Sequence, residues 1–94
     1  MIVRPEAEAD LADAQEWYER QQHGLGAEFL RCVEEVFARL ERTPRMYGEV
    51  YRGVRRVLTR RFPYAVYYRV EEAEVVVLGV FHTSRNPRQW QSRA

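Results

Sequence analysis

The stretch from Val54 to His82 reads VRRVLTRRFPYAVYYRVEEAEVVVLGVFH, and its change of rhythm decides the fold. Valine, tyrosine and phenylalanine dominate it, the residue types that suit a pleated, half-buried surface. Three runs of strand length, Val54 to Phe62, Pro63 to Val70 and Val75 to His82, predict a three-stranded antiparallel meander, with the polar Glu71-Glu72-Ala73-Glu74 between the last two. In the final run both alternate sets, Val75/Val77/Gly79/Phe81 and Val76/Leu78/Val80/His82, are mostly apolar. That pattern predicts a central strand covered on both faces.

Upstream of Val54 the period becomes helical. Pro5 suits a first helical position, where its missing N–H costs nothing, and Glu6, Glu8 and Asp10 crowd the positive end of the helix that follows. Ala7, Leu11, Ala14, Trp17 or Tyr18, and Gln21 recur at three- and four-residue steps until Gly24 stops the helix. A second stripe of Phe29, Leu30, Val33, Val36, Phe37 and Leu40 ends at Thr43-Pro44, because the residue before proline is steered out of the helical region. Ile2 and Val3 predict a short opening strand. Residues 43–53 (TPRMYGEVYRG) read as a connecting loop, and residues 83–94 as a last turn or tail with Trp90 as anchor. The expected fold is α+β: a short N-terminal strand, a two-helix hairpin, then the meander packed on the helices, as a single domain over residues 1–94.

Composition narrows the class further. A chain of 94 residues with 46% hydrophobic and 31% charged residues is too apolar for disorder and too polar for a membrane protein, so a cytoplasmic globule is expected. Its one cysteine, Cys32, can neither close an internal disulfide nor build a zinc site alone. At this length roughly 60–65% of the unfolded surface can be buried, which leaves a thin core. Residues 1–50 hold six Arg against eleven acids, a balance of −5, and residues 51–94 hold nine Arg against three acids, a balance of +6. Every cation is Arg, so every positive site is a planar fork suited to carboxylate or phosphate. Such clustering of one sign points to a charged partner.

The chemistry-bearing candidates are few. Arg55, Arg56, Arg60 and Arg61 lie on or beside the first meander strand, where a period of two puts Arg56 and Arg60 on one face and Arg55 and Arg61 on the other. They fit either a grip on a partner's acids or phosphates or a charged, solvated edge strand. His82 ends the central strand, a place where it could act as general acid or base with Arg85 on a phosphate, or hydrogen-bond at the rim of the core. His23 receives no role. Tyr64, Tyr67 and Tyr68 read as core before they read as a base-stacking platform, Tyr64 and Tyr68 sharing an apolar face with Val66 and Val70. No glycine-rich phosphate loop, paired-carboxylate spacing or metal-ligand spacing occurs, so no cofactor and no metal are expected.

In order and residues the chain resembles the RelE/ParE superfamily of bacterial toxins from type II toxin-antitoxin systems. The resemblance is carried by Ala7 to Leu11 (AEADL), Gly53 to Leu58 (GVRRVL), Phe62 to Val70 (FPYAVYYRV) and Val76 to Trp90 (VVLGVFHTSRNPRQW), in that order over nearly the whole chain. It implies a toxin neutralised by a small antitoxin whose acidic tail wraps it, with Arg55, Arg56, Arg60, Arg61, Arg69 and Arg85 as the antitoxin- or target-binding cations. RelE-like members cut mRNA on the ribosome, whereas ParE-like members poison DNA gyrase. The RelE-like nuclease groups are missing: Ala65 stands where such members carry an Arg, Thr83 where they carry another, and Gln89 or Trp90 where they carry a Tyr. The ParE-like branch is therefore expected, with no membrane and no small-molecule substrate. The alternative is a ribosome-dependent endonuclease using His82 and Arg85. A stand-alone RNA-binding domain fits less well, since the Lys/Arg-Gly-aromatic-Gly pattern is absent. One departure from the family is a first strand cut to Ile2–Arg4, with Arg4 where a Ser helix cap is common.

Overall fold

In the computed structural model, which describes residues 1–94, the first helix starts where proline fixes the backbone. After β1 (Ile2–Val3), Pro5 opens α1 (Pro5–Gln21), with Arg4 at the cap position and no side-chain cap. A short turn leads to α2 (Leu25–Arg42), whose cap residue Gly24 sits in the left-handed region at φ 88°. Gly24 has no side chain to cap the helix, and Glu19 of α1 supplies the missing acceptor: its carboxylate takes the Gly24 N–H at 3.0 Å and the Gly26 N–H at 3.1 Å. Gly26 also allows the close approach of the two helices, since a Cβ there would lie 2.6 Å from the Gln15 carbonyl oxygen.

The rest of the chain builds one sheet. β2 (Glu49–Tyr51), β3 (Val54–Leu58), β4 (Tyr64–Glu71) and β5 (Glu74–His82) join β1 in the order β1-β5-β4-β3-β2. The ladders β2/β3, β3/β4 and β4/β5 are antiparallel, but β1 runs parallel to β5, pairing Ile2 with Val76 and Val3 with Val77. The sheet is thus five-stranded and mixed, where the sequence predicts an antiparallel meander of three. Part of the predicted loop is β2, joined to β3 by the two-residue turn Arg52-Gly53, whose φ values are 43° and 80°. A last short helix, α3 (Pro87–Gln91), replaces the expected tail; Pro87 is its first residue and Asn86 caps it by accepting the Arg88 N–H at 3.0 Å.

Two of the strand boundaries correct the sequence reading. β3 stops at Leu58, not Phe62, because the buried Thr59 hydroxyl bonds the Phe62 and Tyr64 carbonyl oxygens and folds residues 59–63 into a turn. β5 does not alternate strictly. Tyr68 faces Val77 while Tyr67 faces Gly79, so Leu78 is an extra residue and the strand is bulged. As a result Val75, Val77 and Val80 face the helices, whereas Val76, Leu78 and Phe81 face the other side.

Both sheet faces are covered, as the apolar last strand predicts. The larger cluster lies between hairpin and sheet: Ala7, Ala14, Tyr18, Phe29, Val33, Val36 and Leu40 meet Val57, Phe62, Val66 and Tyr68. Cys32 is buried there as a small apolar residue. Leu30, expected in that core, is half-buried and outside the cluster. On the outer face Trp90 of α3 stacks on Tyr67 with centroids 4.6 Å apart, over Val54, Ala65, Leu78 and Phe81. No helix is long and apolar enough to cross a membrane.

Candidate functional site

The six arginines expected to form one binding group end up in four settings. Arg55 points to the helix side of β3, 18% exposed, where its guanidinium donates to the Arg45 and Tyr47 carbonyl oxygens and lies 3.8 Å from Glu49. It fastens the segment before β2 to the sheet. Arg60 and Arg61 are in the turn after β3, not on the strand, so the expected sharing of faces with Arg56 and Arg55 does not arise. Arg60 reaches Glu35 of α2 with a forked contact at 2.7 and 3.1 Å, which raises the Arg60 pKa first through that hydrogen bond; Arg61 pairs with Glu28 at 3.0 Å. These two exposed pairs tie the turn to the hairpin.

Arg56 and Arg69 remain on the outer sheet face. Arg56 faces Tyr67 across the β3/β4 ladder, and Arg69 follows Tyr67 by two residues on the same side. Neither has a carboxylate within ion-pair distance. Arg52, which sequence reasoning passed over as a loop residue, joins them: its carbonyl accepts from Arg69 Nη2 at 3.3 Å, and its own guanidinium lies over the Tyr51 ring. The signal that could have found it was the turn-forming Arg-Gly pair next to the strand.

His82 and Arg85 line a different place, an open cleft of about 800 Å³ between α1 and the end of β5. Asp10, Asp13, Glu16 and Trp17 form its helical wall, and Pro63, Tyr64, His82 and Arg85 the other. The Ser84 backbone N–H donates to His82 Nδ1 at 3.0 Å, so the neutral ring carries its proton on Nε2. The Ser84 hydroxyl also lies 2.8 Å from Nδ1. Burial raises the Tyr64 phenol above its ordinary value, against the opposing pull of Arg85, and keeps it a proton donor. Arg85 donates to Gln89 Oε1 at 2.9 Å. The cleft therefore offers donors on one wall and carboxylates on the other, two of them paired with Arg20 and Arg93, without a free basic nitrogen from His82.

The cleft's floor is held by a contact between distant parts of the chain. Beyond Val77 the outer edge of β5 has no strand beside it, since β1 ends at Val3. Asp10 caps that edge by accepting the Val80 N–H at 3.0 Å, and Arg93 comes around it to bond the same carboxylate and the Leu78 carbonyl oxygen. Gly79 makes room for this pair, as a Cβ would lie 2.8 Å from Arg93 Nη1.

Against known proteins, residues 1–87 match the family model described as ParE toxin of type II toxin-antitoxin system, parDE. Among solved structures the chain is similar in fold to the chromosomal ParDE TA system from P. aeruginosa, with a TM-score of 0.64 and 19% identity over 87% of this chain and 95% of that one. No curated protein sequence matches it.

Proposed function

Since the chain belongs to the ParE toxin family of type II toxin-antitoxin systems, and so has a cognate antitoxin as partner, we propose that it acts by binding and poisoning DNA gyrase in the cytoplasm, not by cutting RNA. The observation that carries this reading is the state of His82. Strand scission by acid–base chemistry needs a group that can take a proton from the attacking hydroxyl. His82 Nδ1 is engaged by Ser84 and Nε2 already bears the proton, so His82 enters the cleft as a donor only. The opposite wall carries the carboxylates of Asp10, Asp13 and Glu16, and no cation there is left free for an RNA backbone. Arg20, which pairs with Glu16, and Arg93, which pairs with Asp10, offset two of these charges and leave Asp13 without an ion-pair partner.

A toxin that works by docking needs surface and not a reaction centre. Arg56, Arg69 and Arg85 are the cations from the sequence set that carry no acidic partner within the chain, and they suit the acidic tail expected of the antitoxin. The reading is tested with purified toxin in a gyrase supercoiling assay beside primer extension on mRNA from expressing cells. Loss of supercoiling activity, retained by His82→Ala, is the expected result. Cuts in ribosome-bound mRNA that disappear in a folded His82→Ala variant, with gyrase unaffected, would establish the endonuclease instead.

A further inference from the structure

We propose that Arg52, Arg56 and Arg69 form a carboxylate-binding site on the outer sheet face, and that its occupant is an acidic segment of a partner protein that also sets an apolar side chain against Leu58. The identification of that partner with the antitoxin rests on the toxin reading; the site itself rests on the side chains.

Three observations bring these residues to one ligand. Arg56 and Arg69 stand at diagonal positions on neighbouring strands, about 7–8 Å apart, within reach of each other's long side chains. Like charges so placed repel, and no acid of this chain pairs with either; Glu71, the next outward residue of β4, forms no ion pair with Arg69. Arg69 is also short of acceptors. Its Nε is buried with no partner, and its single hydrogen bond is the long one to the Arg52 carbonyl oxygen. An incoming carboxylate bridging the guanidiniums removes the repulsion with forked, charge-assisted bonds.

Arg52 adds an independent sign. It holds φ 43° at the first position of a two-residue hairpin turn, where Asn, Asp or Gly fit with least strain. A bulky cation kept there at a conformational cost is placed for something beyond the turn.

The surroundings select a protein over a single-stranded nucleic acid. Tyr67 and Trp90, 2% and 7% exposed, stack on each other, so their faces are closed to bases. Leu58, the next outward residue of β3 after Arg56, is 55% exposed and gives an apolar contact beside the cations. Acid next to leucine or isoleucine in the partner matches that pair.

The test is an NMR titration of ¹⁵N-arginine-labelled toxin, following side-chain Nε–Hε signals, with a short synthetic Glu/Leu peptide and, in parallel, an oligothymidylate. The peptide should shift the Arg52, Arg56 and Arg69 signals, weaken with added salt, and lose about tenfold or more in affinity for the Arg56→Gln/Arg69→Gln double variant. Arg56→Lys, which keeps the charge and loses the fork, should fall between. Shifts confined to Arg60, Arg61, Arg85 or Arg88, or tighter binding of the oligothymidylate at the same signals, would overturn the proposal. Growth assays separate the two readings. A double variant that stays toxic but escapes its antitoxin supports the site, and one that is neutralised as well as the parent removes the antitoxin as its partner. If the unaltered chain does not slow growth, the toxin reading fails while the titration still decides the site.

Discussion

Glu19 belongs to α1 yet completes α2. The Gly24 N–H, and after it the Gly26 N–H and His23, hold its carboxylate below the usual range. The folded pKa is therefore lower than the unfolded one, and the stabilisation is present above the unfolded value and lost as the pH falls through the folded one. Glu19→Ala should lower the melting temperature by a few degrees at neutral pH, with the gap to the parent closing as the pH falls below the ordinary glutamate range. Equal melting of the two at pH 7 would remove this cap from the account of the hairpin. Single residues were legible in the sequence where one local force acts on them, as with Pro5 at a helix start. His82 was legible as a site candidate, but its proton placement depends on Ser84 closing back on the ring, a turn geometry that no spacing encodes.

At the scale of elements, the hairpin packs on the sheet through a narrow line of side chains. Phe29 is fully buried against Tyr18, Phe62 and Tyr64, with ring centroids 5.0 to 5.3 Å away. Phe29→Ala should cost about 3–5 kcal/mol in urea unfolding, whereas the half-buried Leu30 should cost about 1 kcal/mol on the same change. Similar losses at both positions would mean that α2 is rotated from the orientation described. Both helices and β4 were legible because each repeats its period several times, and β5 because it is a nine-residue run that is apolar on both alternate sets. β2 has three residues and α3 has five, too few to show a period, and both owe their form to neighbours: β2 to the Arg52-Gly53 turn and α3 to the Tyr67 ring under Trp90.

For the whole molecule, the split between an acidic first half and a basic second half survives folding only in part. Folding pairs Arg60, Arg61 and Arg93 of the basic half with Glu35, Glu28 and Asp10 of the acidic half, and leaves Arg52, Arg56 and Arg69 without such partners. The sequence could place the charges along the chain but could not say which pairs would close on each other, since that depends on where β3 ends. Asp10 is the one acid that joins helix, sheet and C-terminal segment. Asp10→Ala strands the Val80 N–H and the Arg93 guanidinium and should cost about 1–3 kcal/mol. Faster proteolysis after Pro87 at neutral pH is the accompanying readout, and an unchanged cleavage rate would show that Trp90 alone holds the segment.

The extra residue in β5 decides which way the end of the strand faces. A regular ladder through the same letters, with no bulge, would turn the last side chains of the strand over. Phe81 would then point at the helices and His82 away from them, so that the cleft would lose its imidazole and Trp90 its apolar bed without any residue there being altered. Excising Leu78 would instead keep Gly79 opposite Tyr67 and Val80 opposite Val66, so that Phe81 and His82 would hold their sides.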